Sequence, residues 1–285
     1  MGQEGEFRQV GKGQITNRWR ILQLGQYTLT SNYLDKRVCA HVAPPKRCVY
    51  LGMVPPPYSM LVNGVELGSG KAFVMDANSE ADFVSPDETE CLAFRIPKTV
   101  FEAGARSLFP GMPMNGGLCR ILEGSSSAWS ALHGDIREVL RDGSLSAEDI
   151  SRLTCRFLGL MAGESEKSRR EALPDNRTIG RIARRAREYI EEHYPYTIRM
   201  EDLCRSLGVS LRTLQRSFSE YFQVSPSAYI KARRLHAARK ALMAGESSRS
   251  SVTGIALDNG FTHLGRFSVE YREHFGESPH ETLRR

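Results

Sequence analysis

The chain has 285 residues and a formal net charge of +6 at neutral pH. A chain of this length can bury two separate cores, so we expect two domains. The first residues lack the apolar segment of a signal peptide, and no run of 18 apolar residues occurs anywhere. We therefore expect a cytoplasmic protein with no membrane partner, rather than a secreted or membrane-spanning one. The charge is uneven, because residues 165–285 hold 22 Lys and Arg against 15 Asp and Glu.

The sequence lacks the residue patterns of catalytic and metal centres. It contains no G-x-S-x-G, no H-E-x-x-H and no phosphate-cradling glycine loop. The cysteines show neither C-x-x-C nor a His/Cys ligand spacing, so we expect reduced thiols, each of them a buried structural cysteine. These cysteines are Cys39, Cys48, Cys91, Cys119, Cys155 and Cys204. We predict no catalytic residue, no metal and no cofactor.

Residues 1–127 have the pattern of a β-rich domain. Short runs rich in Val, Ile, Tyr, Phe and Leu alternate with turn residues, which favours a small β-sandwich or barrel. Asn63-Gly64 supplies the two positive-φ positions of a type I′ hairpin turn. A short helix over 97–107 and a loop over 111–117 follow. The predicted strands are 19–24, 26–33, 37–42, 48–54, 59–62, 65–67, 72–75 and 90–96.

A small barrel with aromatic and sulfur side chains inside can hold a ligand. The alternative role of each such side chain is to fill the barrel interior. The candidates are Tyr27, Tyr50, Met53, Tyr58 and Phe73, which form our effector-binding prediction, together with Met75 and Phe83.

Residues 128–163 are predicted to form a helical hairpin. Apolar residues recur at helical spacing over 128–141 and 147–161, and Asp142-Gly143-Ser144 connects the two helices. Such a hairpin either packs on the barrel or pairs with the same hairpin of a second chain in a homodimer. The polar stretch 164–177 is predicted to be an exposed linker.

The segment 178–285 contains one pattern twice. Each copy has a turn glycine, a helix cap and a helix whose apolar residues lie four apart, as in a helix-turn-helix. In the first copy, over about 200–222, Gly208 precedes the cap Ser210. In the second, over about 252–275, Gly260 precedes the predicted cap Thr262. Two copies in a basic segment indicate DNA binding. The inward residues are Leu214, Phe218 and Phe222, then Phe267, Tyr271 and Phe275.

The two copies differ on their outward faces. The first presents Arg212, Gln215 and Arg216, and Arg and Gln are the side chains that read guanine and adenine in the major groove. The second presents chiefly Arg266, beside less informative residues, which are His263, Leu264, Gly265 and Val269. We predict that the first motif specifies sequence and the second supplies placement and backbone affinity. A long helix over 226–244 separates the motifs, so that both are able to enter successive major grooves.

Several segments resemble the DNA-binding domain of AraC/XylS-type transcription regulators. They are Ser210-Leu-Arg-Thr-Leu-Gln-Arg-Ser-Phe218, Ser225-Pro226, Arg234-Leu235, Gly260-Phe261 and Phe275-Gly-Glu-Ser-Pro279. The resemblance implies seven helices over 178–285 and gene activation through contact with RNA polymerase. It also implies a cupin-like barrel over 1–127 and a dimerising hairpin. The fold class is then a two-domain α+β protein. DNA contacts implied at matching positions are Arg212, Gln215, Arg216, His263, Arg266 and Ser268.

Two residues depart from the family pattern. Arg199 stands where a Ser or Thr cap is common, and Val269 stands where a reading arginine is common. The segment Gly260–Tyr271, with Thr282-Leu283, is similar to the branch that contains the ethanolamine-operon regulator.

Three functions compete at this point. The first is a cytoplasmic, nucleoid-associated activator controlled by a small molecule in the barrel. In the second, a protein partner controls the barrel domain. The third, a cupin-type enzyme fused to a DNA-binding domain, needs several barrel histidines, and residues 1–127 offer only His41.

Overall fold

The computed structural model describes residues 4–68, 70–76, 78–108, 119–123, 126–162, 178–244 and 251–285. The predicted loop over 111–117 and the predicted linker over 164–177 lie outside these residues. The chain divides into two compact units. The first is Met1–Phe7, Thr16–Asp35 and Ala40–Pro174, and the second is Arg8–Ile15, Lys36–Cys39 and Asp175–Arg285. The first is rich in sheet and the second in helix, which confirms the predicted two-domain α+β fold class.

Eleven strands lie in the described part of the chain and form two sheets. One sheet has five strands in the order β1-β4-β9-β6-β7, and the other has six in the order β11-β8-β5-β10-β3-β2. Strands β1, β9 and β11 were not predicted from the sequence. The bounds are β1 Glu4–Gln9, β2 Asn17–Leu24, β3 Tyr27–Leu34, β4 Val38–Ala43, β5 Cys48–Met53, β6 Met60–Val62, β7 Val65–Leu67, β8 Lys71–Asp76, β9 Ala81–Ser85, β10 Thr89–Pro97 and β11 Cys119–Glu123.

The predicted hairpin turn joins β6 and β7. Asn63 and Gly64 have φ angles of 51° and 77°, so both central positions lie in the left-handed region. Val62 pairs directly with Val65 across this turn. The two-residue loop therefore has the backbone that a type I′ turn requires, and the prediction is confirmed.

Three helices cover one face of the six-stranded sheet. They are α1 Lys98–Leu108, α2 Ser126–Asp142 and α3 Ala147–Ala162. Leu51 and Phe94 from the sheet share a single buried core with Leu132 of α2 and Phe157 of α3. The helical hairpin thus packs on the sheet, because its apolar stripe is buried against the strands.

Seven helices lie in the described part of 178–285, as the resemblance implies. They are α4 Ile179–His193, α5 Met200–Leu207, α6 Leu211–Phe222, α7 Pro226–Met243, α8 Val252–Asp258, α9 Leu264–Phe275 and α10 Pro279–Leu283. Leu235 of α7, Ile255 of α8 and Tyr271 of α9 meet in one core. Among the described helices, none is long and apolar enough to cross a membrane.

Candidate nucleic-acid interface

The first helix-turn-helix consists of α5 and α6. Gly208 ends α5 with a φ of 66°, a left-handed conformation that glycine adopts without a steric penalty. Ser210 then caps α6, because its Oγ accepts a hydrogen bond from the backbone N–H of Thr213 at 3.1 Å. At the start of α5, Arg199 has extended backbone and gives no side-chain cap. The turn between the helices is therefore fixed by a glycine and by a serine cap.

An aromatic cluster holds α6 in place from beneath. The Phe218 ring centre lies 4.7 Å from that of Phe222 and 5.4 Å from that of Tyr229 on α7. Leu214, Phe218 and Phe222 are at most 2% exposed, which confirms the predicted inward stripe. Aromatic pairs at these distances stabilise a core beyond their buried area. The outer face of α6 is thus presented by a rigid support.

The outer face of α6 presents the three predicted reading side chains. Arg212, Gln215 and Arg216 are all exposed. Arg216 donates from Nε to the Glu220 carboxylate at 2.7 Å, which raises the pKa of the Arg216 side chain. Among the described residues no carboxylate pairs with Arg212. Both guanidinium groups lie at the helix surface, where they are able to donate hydrogen bonds to an acceptor.

The second helix-turn-helix consists of α8 and α9. Gly260 follows α8 with a φ of 79°, and its carbonyl accepts a hydrogen bond from Arg234 Nη1 of α7 at 3.3 Å. Asn259 is buried, and its Nδ2 donates to the carbonyl of Ile255 at 2.7 Å. The bond from Arg234 joins the turn to the long helix, and the bond from Asn259 closes the end of α8.

The predicted cap of the second recognition helix is wrong. Helix α9 begins at Leu264, so the N-cap position belongs to His263 and not to Thr262. The reason is spacing, since α9 begins four positions after Gly260, whereas α6 begins three positions after Gly208. The His263 side chain makes no capping hydrogen bond. His263 therefore provides no side-chain acceptor for the first backbone N–H groups of α9.

The outer face of α9 carries a shared ion pair. His263, Arg266 and Ser268 are exposed, as predicted. Arg266 Nε and Lys231 Nζ of α7 each lie 2.9 Å from Oε1 of Glu270. Burial alone would raise the pKa of Glu270, but the hydrogen bonds from Lys231 and Arg266 outweigh it and lower the pKa. Arg266, the side chain of this motif best suited to base reading, is thus paired with Glu270, which also pairs with Lys231 of α7.

The predicted effector-binding residues do not share one face of the sheet. Met53 is 4% exposed and Tyr27 packs against the same core, on the face that α1–α3 cover. Tyr58 lines a cavity of about 580 Å³ on the same side of the sheet, together with residues of α2. Side chains alternate between the two faces along a strand.

The remaining two effector candidates lie on the opposite face of the sheet. Tyr50 alternates with Val49 and Leu51, both of which belong to the helix-covered core. The Phe73 ring lies 4.8 Å from that of Phe83 in the other sheet. A Cβ on Gly52 would lie 2.0 Å from the Phe73 ring, so this ring fills the space above the glycine. Sequence periodicity alone did not assign these faces.

His41 lies beside two carboxylates. Its Nδ1 is 2.9 Å from Asp82 Oδ1, and its Nε2 is 3.3 Å from Glu80 Oε2. Within the described residues no group of three or more His, Cys, Asp or Glu is arranged to hold a metal ion. His41 thus lies within hydrogen-bonding reach of carboxylates rather than in a metal-ligand cluster of the described residues.

Comparison with known proteins places this interface in a family. A helix-turn-helix domain family matches residues 203–285. A probable thc operon regulatory protein of Rhodococcus erythropolis is 34% identical over 130 residues, which are 46% of this chain. The match spans 39% of that relative's own length.

Two further similarities cover most of the matched protein. The XylDLEGF operon transcriptional activator 2 of Pseudomonas putida is 35% identical over 140 residues, which are 49% of this chain and 86% of that protein. A solved structure of a probable AraC family transcriptional regulator from Rhodopseudomonas palustris is 38% identical, covers 36% of this chain and 95% of that one, and has a TM-score of 0.35. These relatives are transcription regulators rather than enzymes. The chain therefore belongs to the AraC/XylS family of DNA-binding transcription regulators.

Proposed function

We propose that this protein is a sequence-specific transcription activator whose first motif reads the DNA. The observation that carries the proposal is the exposed Arg212–Gln215–Arg216 face of α6 on its aromatic support. Arg is able to bind guanine O6 and N7 together, and Gln is able to bind adenine N6 and N7. The contact with RNA polymerase that family members make belongs to the same proposal.

Footprinting and gel shift on the upstream region of the gene test DNA reading. We expect binding that weakens steeply with salt, since phosphate contacts release counterions. Changing Arg212 and Arg216 to alanine should abolish sequence discrimination. Arg205→Ala is the matched control, because Arg205 is exposed on α5 and pairs with Asp202 at 3.0 Å. Undiminished discrimination by the double variant would refute the assignment.

The second motif acts in this proposal on the DNA backbone. The first turn of α9 has no side-chain cap, and a helix N-terminus with free N–H groups favours a phosphate. His263, Arg266 and Ser268 are exposed at or near that end. Gly265 has no side chain to hold a phosphate away, and a Cβ there would meet nothing within 4 Å. These features favour close approach rather than base reading.

The long helix sets the separation between the motifs. Helix α7 has 18 residues and thus a length of about 27 Å. Successive major grooves on one face of DNA lie about 34 Å apart. We therefore propose that both motifs of one chain bind successive grooves.

Light scattering on the purified protein tests whether α2 and α3 also join two chains into a homodimer.

The N-terminal domain is proposed to bind a small-molecule effector. The cavity of about 580 Å³ supports this, since it has the size of pockets that hold small ligands. Control by a protein partner is the alternative, and the exposed apolar residues of edge strand β2 favour it. Trp19 is 40% exposed and Ile21 is 59% exposed. A small metabolite that raises the melting temperature of the whole protein supports the first function. Loss of partner binding in a Trp19→Ser, Ile21→Ser variant supports the second.

Within the family, this chain is proposed to belong to the branch that contains the ethanolamine-operon regulator. The segment Gly260–Tyr271 and Thr282-Leu283 support it. Ethanolamine belongs in the thermal-shift panel for this reason, and an unchanged melting temperature would count against this branch.

A further inference from the structure

The cavity of the first unit lies where one end of the six-stranded sheet meets α2. Its lining includes four arginines and two tyrosines, and of the five predicted effector-binding residues it contains Tyr58. Two of the arginines come from β2 and two from α2. The six residues are Arg18, Arg20, Arg137, Arg141, Tyr33 and Tyr58.

Secondary structure brings the four arginines to one place. Arg18 and Arg20 are two residues apart on a strand and therefore point to the same face. In the sheet register, Arg18 lies opposite Tyr33 and Arg20 lies opposite Ser31. Arg137 and Arg141 are four residues apart on α2 and therefore share one helix face. The strand pair and the helix pair thus line the same cavity from two sides.

The carboxylates of the lining are already engaged. Glu90 accepts hydrogen bonds from Arg137 Nη2 at 2.6 Å and from Ser31 Oγ at 3.0 Å. Glu138 pairs with Arg152 at 3.4 Å. Neither carboxylate therefore faces the cavity without a partner.

Few carboxylates lie near the other three arginines of the lining, which are Arg18, Arg20 and Arg141. The Arg18 guanidinium lies 4.4 Å from the Tyr33 ring centre. Arg141 meets only its exposed chain neighbour Asp142, at 3.8 Å, in the part of the chain that the structure describes. In the same part of the chain, no carboxylate pairs with Arg18 or Arg20. Like charges around one space repel, and a bound anion relieves that repulsion.

We propose that this cavity binds a small organic anion. Arg20 and Arg141 bind its carboxylate or phosphate group, because a guanidinium donates two parallel hydrogen bonds to either group. The apolar part of the anion lies along Tyr33 and Tyr58, whose rings are 6.5 Å apart. The site is on the helix-covered side of the sheet, away from the face that carries Tyr50 and Phe73. That this anion is the effector rests on the proposed function, whereas the binding itself does not.

Thermal shift and titration calorimetry on the whole protein test the proposal. The probes are phenyl phosphate, benzoate and inorganic phosphate, with benzamide as the neutral analogue of benzoate, all at one ionic strength. We expect at least one of the anions to raise the melting temperature and benzamide to leave it unchanged. The phosphate and carboxylate arms distinguish which group the site prefers. The Arg20→Gln, Arg141→Gln variant should weaken binding about tenfold or more, since a hydrogen bond to a charged group contributes enough for such a loss.

The control variant is Arg106→Gln. Arg106 is an exposed arginine of α1 outside the cavity, paired with Glu102 at 3.4 Å. The Arg106→Gln variant should bind the anions as the unchanged protein does. Both replaced cavity arginines are exposed, and an unchanged melting temperature without ligand checks that the double variant folds. Equal binding by the double variant, or no binding of any of the three anions, would overturn the proposal.

A gel shift in the same buffers keeps this inference apart from the proposed function. If DNA binding persists while no anion binds, the cavity assignment fails and the DNA-reading assignment stands. If anions bind through Arg20 and Arg141 but sequence-specific DNA binding is absent, the DNA-reading assignment fails and the cavity assignment stands.

Discussion

Ser210 Oγ accepts a hydrogen bond from the backbone N–H of Thr213 at 3.1 Å, and this hydrogen bond closes the first turn of α6. At the equivalent place in the second motif, His263 makes no such bond. One recognition helix thus begins with its own acceptor, and the other begins with N–H groups that an external anion is able to satisfy. This difference at the helix starts parallels the difference between their outward faces.

The serine cap should be measurable in stability. Ser210→Ala removes the acceptor and should lower the free energy of unfolding by about 1 kcal/mol. Thr262→Ala is the matched control, because Thr262 does not occupy the N-cap of α9. Urea denaturation of the two variants checks this. An equal loss in both would mean that Thr262 caps α9 after all.

Gly265→Ala should separate stability from DNA binding. An alanine here meets no atom within 4 Å and favours the helix, so the free energy of unfolding should rise by up to about 1 kcal/mol. If the α9 backbone approaches a phosphate, the added methyl group should weaken DNA binding in the same variant. Denaturation and gel shift on one preparation check both effects. Unchanged DNA affinity would place the phosphate elsewhere.

One buried and one half-buried histidine, His274 and His236, should make the C-terminal unit acid-sensitive. Burial lowers the pKa of His274 to about 4, and burial together with the charge of His274 lowers that of His236 to about 3. The unfolded chain takes up protons near pH 6.5, so stability is full above that value and is lost as pH falls toward 4. Between pH 7 and 5 each histidine should contribute a loss of about 2 kcal/mol.

Denaturation curves at several pH values check the histidine prediction. His274→Gln should show a shallower loss of stability between pH 7 and 5 than the unchanged protein. His280→Gln is the control, since His280 is exposed on α10. Parallel curves for all three proteins would contradict the assignment of the acid sensitivity to His274.

The helical half of the fold was largely predictable because its signals are local. Gly208, the cap Ser210 and apolar residues four apart define α5 and α6 without any distant contact. The wrong cap at Thr262 arose because one extra residue after Gly260 shifts the start of α9. Spacing alone did not show which side chain takes the N-cap.

The β-rich half was harder to predict because its faces are set by distant pairings. Met53 and Tyr50 lie on opposite faces of β5, as strand alternation requires, but only the packing of distant helices shows which of the two faces is covered. The arginine-lined cavity was not predicted at all. Arg20 and Arg141 are separated by more than a hundred residues, and the packing of α2 on the sheet brings them to one cavity.

The first motif is proposed to specify sequence, and the second is proposed mainly to supply placement. The most direct measurement is the dissociation constant for the footprinted operator with single base pairs changed in each half. We expect changes under α6 to cost about 1–3 kcal/mol each, and changes under α9 to cost clearly less. The Arg212→Ala, Arg216→Ala variant should lose the difference between operators, whereas Arg266→Ala should weaken all operators alike. Greater stringency in the half under α9 would contradict the account.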